Sequence, residues 1–241
     1  MQTRTVSKAK GMQRELVRKV RQVGLWGTAK HVTAKLAHGA RGLVSPTGGA
    51  ADPFDDKYGT DTTGIIGVGS LDIPEDQMEH SMHYGPIGED EFMETVNSFS
   101  LRHEELSFID IGSGKGRALL LASFFPFRKI IGVEISEMLH DAAVRNIKIF
   151  KDKRQKCTDL VAICEDGSTF EIPNEPLLIF LCNPFDDHVM HLVVSHIEDS
   201  LKTHPRKIYI WYVKPCYRSA LDGSKLLKIV RDTGRYILYE N

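Results

Sequence analysis

The chain has 241 residues, of which 41% are hydrophobic and 26% charged, a balance that excludes a wholly disordered chain, and it has no run of 18 apolar residues able to cross a bilayer. Its net charge of −1 is the sum of two unequal parts: residues 1–50 hold ten basic groups against one acid, Glu15, for a net +9, and the other 191 residues carry −10. Such an asymmetry concerns partners of the basic arm more than fold.

In chain order, residues 12–23 place Leu16, Val17, Val20 and Val23 on one helical face, with Arg14, Arg18, Lys19 and Arg21 elsewhere. This predicts a basic amphipathic helix, followed by a further helical stretch to about Leu36. Such a helix can pack on its own domain or a second subunit, or meet nucleic acid or lipid. The Arg-rich, acid-poor start is also similar to a transit peptide, but it lacks the continuous apolar core of a secretory signal, so the expectation is a cytoplasmic protein. Gly39 to Pro53, rich in Gly, Pro and Ala, reads as a linker.

Phe54 to Pro86 has turn residues and little periodicity, including Tyr58-Gly59 and His83-Tyr84-Gly85-Pro86. A stretch of this kind is a lid over a site or poorly ordered. Glu89 to Phe99 predicts a helix with Phe92, Met93, Val96 and Phe99 inward. The expected division is therefore a helical extension and linker over 1–53 and one domain over 54–241, with a lid or cap region at 54–105 and the core at 106–241.

From residue 106 the pattern is regular. Apolar runs without alternation at 106–111, 129–135, 159–164, 176–182 and 207–213 suit strands buried on both faces. Helical segments at 115–125, 136–150 with Ser136 as N-cap, and 186–202 separate most of them. Alternating strand and helix predicts an α/β fold, a mostly parallel doubly wound sheet with helices on both faces. Cys157, Cys164, Cys182 and Cys216 are scattered without a C-x-x-C pair, and His188, His191 and His196 lack the H-E-x-x-H arrangement, so neither a disulfide framework nor a metal site is expected.

In such a sheet, ligands bind beyond the carboxyl ends of the strands. The first run ends in Asp110-Ile-Gly112-Ser113-Gly114-Lys-Gly116-Arg117, where glycines permit a tight turn and close approach of a ligand to the backbone. The dinucleotide fingerprint G-x-G-x-x-G is not met, because Arg117 stands where its third glycine belongs. Glu134 ends the second run, 22 positions after Gly112, and supplies a carboxylate for a ribose diol. Adenosine binding fits without a pyrophosphate, and a nicotinamide oxidoreductase is the most distant alternative.

With those residues in view, the chain resembles the class I S-adenosylmethionine-dependent methyltransferases over about residues 106–213, which implies their Rossmann-like fold. Phe108 to Gly116 is similar to that family's first motif, which implies Asp110, Gly112, Ser113, Gly114 and Gly116 at the methionine end of the cofactor. The resemblance further implies Glu134 at the ribose, Asp166 of Glu165-Asp166-Gly167 at the adenine amine, and Asn183-Pro184-Phe185 at the acceptor site, with Asn183 also beside the cofactor. It extends to a bacterial subgroup whose core follows Tyr-Gly segments, here Tyr58-Gly59 and Tyr84-Gly85, so Tyr84 joins the expected catalytic residues.

In amine methyltransferases of this kind the acceptor motif is N-P-P-[YF], and an Asn oxygen with the next carbonyl orients the amine. This chain has one proline, and an Asn followed two positions later by Phe is similar also to the Dot1-like lysine methyltransferases. The resemblance therefore implies N-methylation of a protein lysine or a small amine, with S-adenosyl-L-homocysteine as product. Small-molecule O-methylation, or an RNA-directed role for the basic arm, are the alternatives. For an acceptor that must lose a proton, Tyr58, His83, Tyr84, Asp186 and His188 are the candidate bases.

Overall fold

The structure, a computed structural model, describes residues 52–241. The expected basic helix at 12–23, the helical stretch to 36 and all but the end of the linker lie outside the described residues.

The five apolar runs form strands β1 (Ser107–Ile111), β2 (Ile130–Glu134), β3 (Leu160–Cys164), β4 (Leu177–Cys182) and β5 (Ile208–Val213). Two further strands, β6 (Lys228–Asp232) and β7 (Tyr236–Glu240), complete a seven-stranded sheet of order β3-β2-β1-β4-β5-β7-β6. The first five strands run parallel, β7 runs antiparallel to β5, and β6 antiparallel to β7. The chain steps outward from β1 to β3 and then returns to place β4 on the other side of β1. Strand order reverses there, and a Rossmann-like sheet opens its ligand crevice at that point.

Strand alternation divides the core into two layers. Phe108, Phe180 and Trp211 point into one cluster, while Ile109, Ile111, Ile179 and Tyr212 point into the other. The first layer is covered by helices at Glu89–Asn97 and Arg117–Ala122, the second by the helix at Asp187–Thr203. Helices thus lie on both faces, as the alternation of strand and helix predicts. A further helix, Glu137–Ile149, starts at Ser136, whose hydroxyl accepts the Leu139 N–H at 3.2 Å, and the longer one starts at Asp186, whose Oδ1 accepts the Val189 N–H at 3.0 Å.

Three expectations are corrected. β3 is only half-buried, because it is the sheet edge and has one neighbour. The helix after the glycine loop spans only Arg117–Ala122, since the left-handed Gly116 precedes it. Within the stretch expected to be irregular, Pro53–Tyr58 forms a helix capped by Asp52, and the turn after it is built on one buried carboxylate. Asp55 accepts the Thr60 and Thr62 hydroxyls at 2.6 and 2.7 Å and the N–H groups of Thr62 and Thr63 at 2.8 and 2.7 Å.

This strap lies across the glycine loop. The buried Arg117 pairs with Asp52 at 3.0 Å and Asp55 at 3.6 Å, donates to the Thr62 hydroxyl and stacks on the Phe54 ring. Beside it, Lys115 donates to Asp61 at 2.7 Å and to the Thr63 carbonyl at 3.0 Å. Arg117, which breaks the dinucleotide fingerprint, is therefore the anchor of a segment more than fifty positions upstream.

Candidate functional site

A cleft of about 950 Å³, counting its open mouth, lies beyond the carboxyl ends of β1, β2 and β4, at the reversal of strand order. Its lining includes most of the expected residues: Asp110, Gly112, Ser113, Gly114 and Glu134 on one side, Asp166, Asn183, Pro184 and Phe185 on the other, with Tyr84 above the loop.

The glycine loop is shaped by its neighbours as much as by its own turn. Gly112 and Gly114 have φ of +83° and +53°, and a Cβ would come within 2.5 Å of Pro184 at the first and 2.2 Å of the Tyr84 ring at the second. Side chains are excluded twice over, by conformation and by space. Gly116 is different: left-handed at φ +84°, it precedes the following helix, a Cβ there would meet Ala143, and it is not among the residues that line the cleft.

Glu134 ties the loop to its strand. Its Oε2 accepts the Gly114 N–H at 2.8 Å and its Oε1 the Ser136 N–H at 2.9 Å, leaving each oxygen lone pairs toward the cleft. Burial pushes its carboxyl above the usual carboxylate range against those two hydrogen bonds. Asp110, 3% exposed, is raised further, by burial and then by the Glu134 charge, with no cation to offset either. Ser113 turns its hydroxyl over Gly132 of β2, where it is buried and finds no partner among the described residues. Asp166 accepts the Ser168 N–H at 2.8 Å in a turn, and Gly167 beside it is crowded by Ile111 and Phe185.

At the other end, Asn183 closes β4 with φ +48°, a left-handed conformation rare outside glycine. Its Oδ1 accepts from the Tyr212 hydroxyl at 3.2 Å, and that hydroxyl accepts the Tyr217 N–H at 3.1 Å. Burial pushes the Tyr212 phenol up to about 12, so it stays neutral and its proton is free to orient the amide. The Pro184 carbonyl accepts the Met82 N–H at 3.3 Å, Ser81 bridges Phe185 antiparallel, and the Asp186 N–H donates to the His80 carbonyl at 3.0 Å. Segment 80–82 therefore runs as a short ribbon along residues 184–186.

Among the expected bases, Tyr58 is not at the site: its hydroxyl donates to Asp152 at 2.7 Å and its ring packs on Phe54 and Phe150. Tyr84 lines the cleft with its ring but donates its hydroxyl to the Thr62 carbonyl at 2.5 Å, and burial drives its phenol far above the ordinary range. Its ring covers the loop, close to the Gly114 position. His83 lines the cleft, and Asp186 and His188 are not among its lining residues. Sequence reasoning missed His80, which lines the cleft and whose Nδ1 lies 2.7 Å from Asp186 Oδ2, and it missed Tyr212 and the anchoring role of Arg117. The first two partnerships join distant elements and leave no local motif. Arg117 was visible only as a missing glycine.

No protein-family model matches the chain, and no curated protein matches it. Solved structures that it resembles include a SAM-dependent methyltransferase from Leishmania major, 14% identical over 62% of this chain and 69% of the other, with a TM-score of 0.44. A protein of the NADB-Rossmann superfamily from Streptococcus agalactiae is likewise 14% identical, over 64% of this chain and 68% of the other, with a TM-score of 0.44. The 23S rRNA methyltransferase ErmE is 15% identical over 64% and 67%, again with a TM-score of 0.44. At these values the likenesses carry no functional inference, and the Rossmann-like topology stands on the strand order itself. Among the described residues no helix is long and apolar enough to cross a membrane, and no group of three or more metal-ligating side chains is gathered.

Proposed function

We propose that this chain is a methyltransferase that binds S-adenosylmethionine and N-methylates an amine. One observation carries the reading: a glycine loop, a ribose-competent carboxylate and an Asn-Pro-Phe strand end converge on one cleft at the sheet's switch point.

The residues present fit that cofactor. Gly112 and Gly114 leave a cradle that a Cβ would fill, and Glu134 can accept two hydroxyls while holding the loop. Burial raises the Asp110 and Glu134 carboxyls, and a cationic ligand beside them would favour their ionised forms, which suits a sulfonium compound. When bound, S-adenosylmethionine supplies an electrophilic methyl group. The chain's task is then to present a neutral nucleophile in line with it, and orientation supplies most of the rate. Asn183 Oδ1, already oriented by Tyr212, keeps a lone pair for an amine N–H, and Phe185 offers a ring face to a passing cation.

Calorimetry with S-adenosylhomocysteine tests the reading. Binding is expected in the micromolar range, weakened 10-fold or more by Glu134→Ala and spared by Asn183→Ala. No heat at millimolar ligand would sink it.

A further inference from the structure

We propose that His80, held by Asp186, is the proton acceptor of this site, and that the methyl acceptor is a protonated alkyl amine that must be deprotonated before it can react. This inference rests on the methyltransferase reading and narrows its substrate class.

The pair is constructed. The ribbon between segments 80–82 and 184–186 sets His80 opposite Asp186, with the Asp186 N–H on the His80 carbonyl at 3.0 Å. Asp186 divides its carboxylate: Oδ1 caps the helix at the Val189 N–H, and Oδ2 stands 2.7 Å from His80 Nδ1. That arrangement fixes the neutral ring with its proton on Nδ1 and leaves Nε2, 3.4 Å from the exposed Glu79 carboxylate, to take one. His80 lines the same cleft as Asn183 and Phe185, and Asp186 holds it there. The nearby hydroxyls are committed elsewhere, Tyr84 to Thr62 and Tyr212 to Asn183, and Cys182 is pushed by burial up to about 12.

The groups facing His80 are Asp186 and His188 of the long helix, Glu79 beside it in the chain and Asp76 of the short helix Glu75–Met78. The Asp186 hydrogen bond raises the imidazole above its ordinary value against the opposing effect of burial, and Glu79 and Asp76 add to the rise. A stronger base suits an alkyl ammonium, whose ordinary pKa near 10.4 would make transfer to an unassisted imidazole steeply uphill. A nucleobase amine is neutral and would need no such group. The surrounding charge agrees, since residues 51–241 carry a net −10 and draw in cations.

The step balances simply. An N–H bond of the ammonium breaks with its electron pair staying on nitrogen, the proton bonds to His80 Nε2, and the imidazolium is held by Asp186 until the proton leaves through the partly exposed ring to water.

Two measurements test it. Histidine NMR of the protein saturated with S-adenosylhomocysteine should show neutral His80 protonated on Nδ1, titrating above 6.5 and falling in Asp186→Asn. Transfer of labelled methyl from S-adenosylmethionine to N-acetyl-lysine methylamide, n-butylamine and adenosine should label alkyl amines only. Its rate should rise with pH to an inflection that Asp186→Asn moves down, and His80→Asn should cost roughly 10²–10⁴-fold in kcat while S-adenosylhomocysteine affinity stays within about 2-fold. Labelling of the lysine compound alone would point to a protein acceptor, and of n-butylamine as well to a small amine; both outcomes support the proposal. An Nε2–H tautomer, wild-type kcat in His80→Asn, an inflection unmoved by Asp186→Asn, or no transfer to either alkyl amine would each overturn it. If S-adenosylhomocysteine fails to bind the wild-type chain, the methyltransferase reading falls first. If it binds and His80→Asn turns over normally, only the dyad falls.

Discussion

The two ends of the cleft are made in different ways. At the glycine loop, the shape comes from backbone: left-handed glycines pressed by Pro184 and Tyr84, and a carboxylate spanning two N–H groups. At the acceptor end it comes from side chains that meet across elements, Tyr212 with Asn183 and His80 with Asp186. A backbone-made site tolerates no substitution at its glycines, whereas a side-chain-made site can be retuned one group at a time. Under the methyltransferase proposal, the first would hold an unvarying cofactor and the second a particular acceptor.

The sharpest way to break that contrast is Gly114→Ala. A methyl group 2.2 Å from the Tyr84 ring, on a residue at φ +53°, should cost S-adenosylhomocysteine affinity about 100-fold or more, read by calorimetry, with the fold preserved by circular dichroism. An affinity within 3-fold of wild type would mean that the loop does not touch ligand.

A second effect is pH-dependent. Because Asp110 has a folded pKa above its unfolded one, the native state binds more protons than the unfolded chain between those values, and stability falls as pH rises through that window. Asp110→Asn removes this cost. The ligand-free variant should melt above wild type at pH 7, by on the order of 1 kcal/mol, and the advantage should vanish as pH drops to the ordinary carboxylate range. A difference independent of pH would show that Asp110 is not the titrating group.

Smallest in effect, and confined to the acceptor end, is Tyr212→Phe. It frees the Asn183 amide and leaves the Tyr217 N–H without its acceptor, at about 1 kcal/mol of stability. Turnover should drop about 5-fold while cofactor affinity is unchanged, and rescue of turnover by no substitution except one restoring a hydroxyl would assign the loss to amide orientation.

The same contrast governs what could be read from sequence. The five parallel strands announce themselves as short apolar runs, and the glycine-loop end of the cleft is legible because strand ends and glycines are local signals: Asp110, Gly114 and Glu134 each sit within a few residues of the pattern that marks them. Asn183 was legible as a residue, but its left-handed backbone and its Tyr212 partner 29 positions away were not. His80 and Asp186 are 106 positions apart and meet only because the lid forms a ribbon against the acceptor motif. The hairpin of β6 and β7 was missed for another reason. Every β6 residue is exposed, so it lacks an apolar run, although the left-handed Gly234 between two extended segments was an available turn signal.

Arg117 finally bears on the order in which the molecule assembles. The strap that it grips is made early in synthesis, yet the guanidinium that holds it follows β1, whose neighbours β2 and β4 come later still. Closing contacts at such separation costs loop entropy, and a strap held by a few side chains can open locally while the sheet stays closed. The glycine loop should therefore lose amide-exchange protection together with residues 52–63, well below the free energy of opening the sheet, and a bound ligand should slow exchange in both at once.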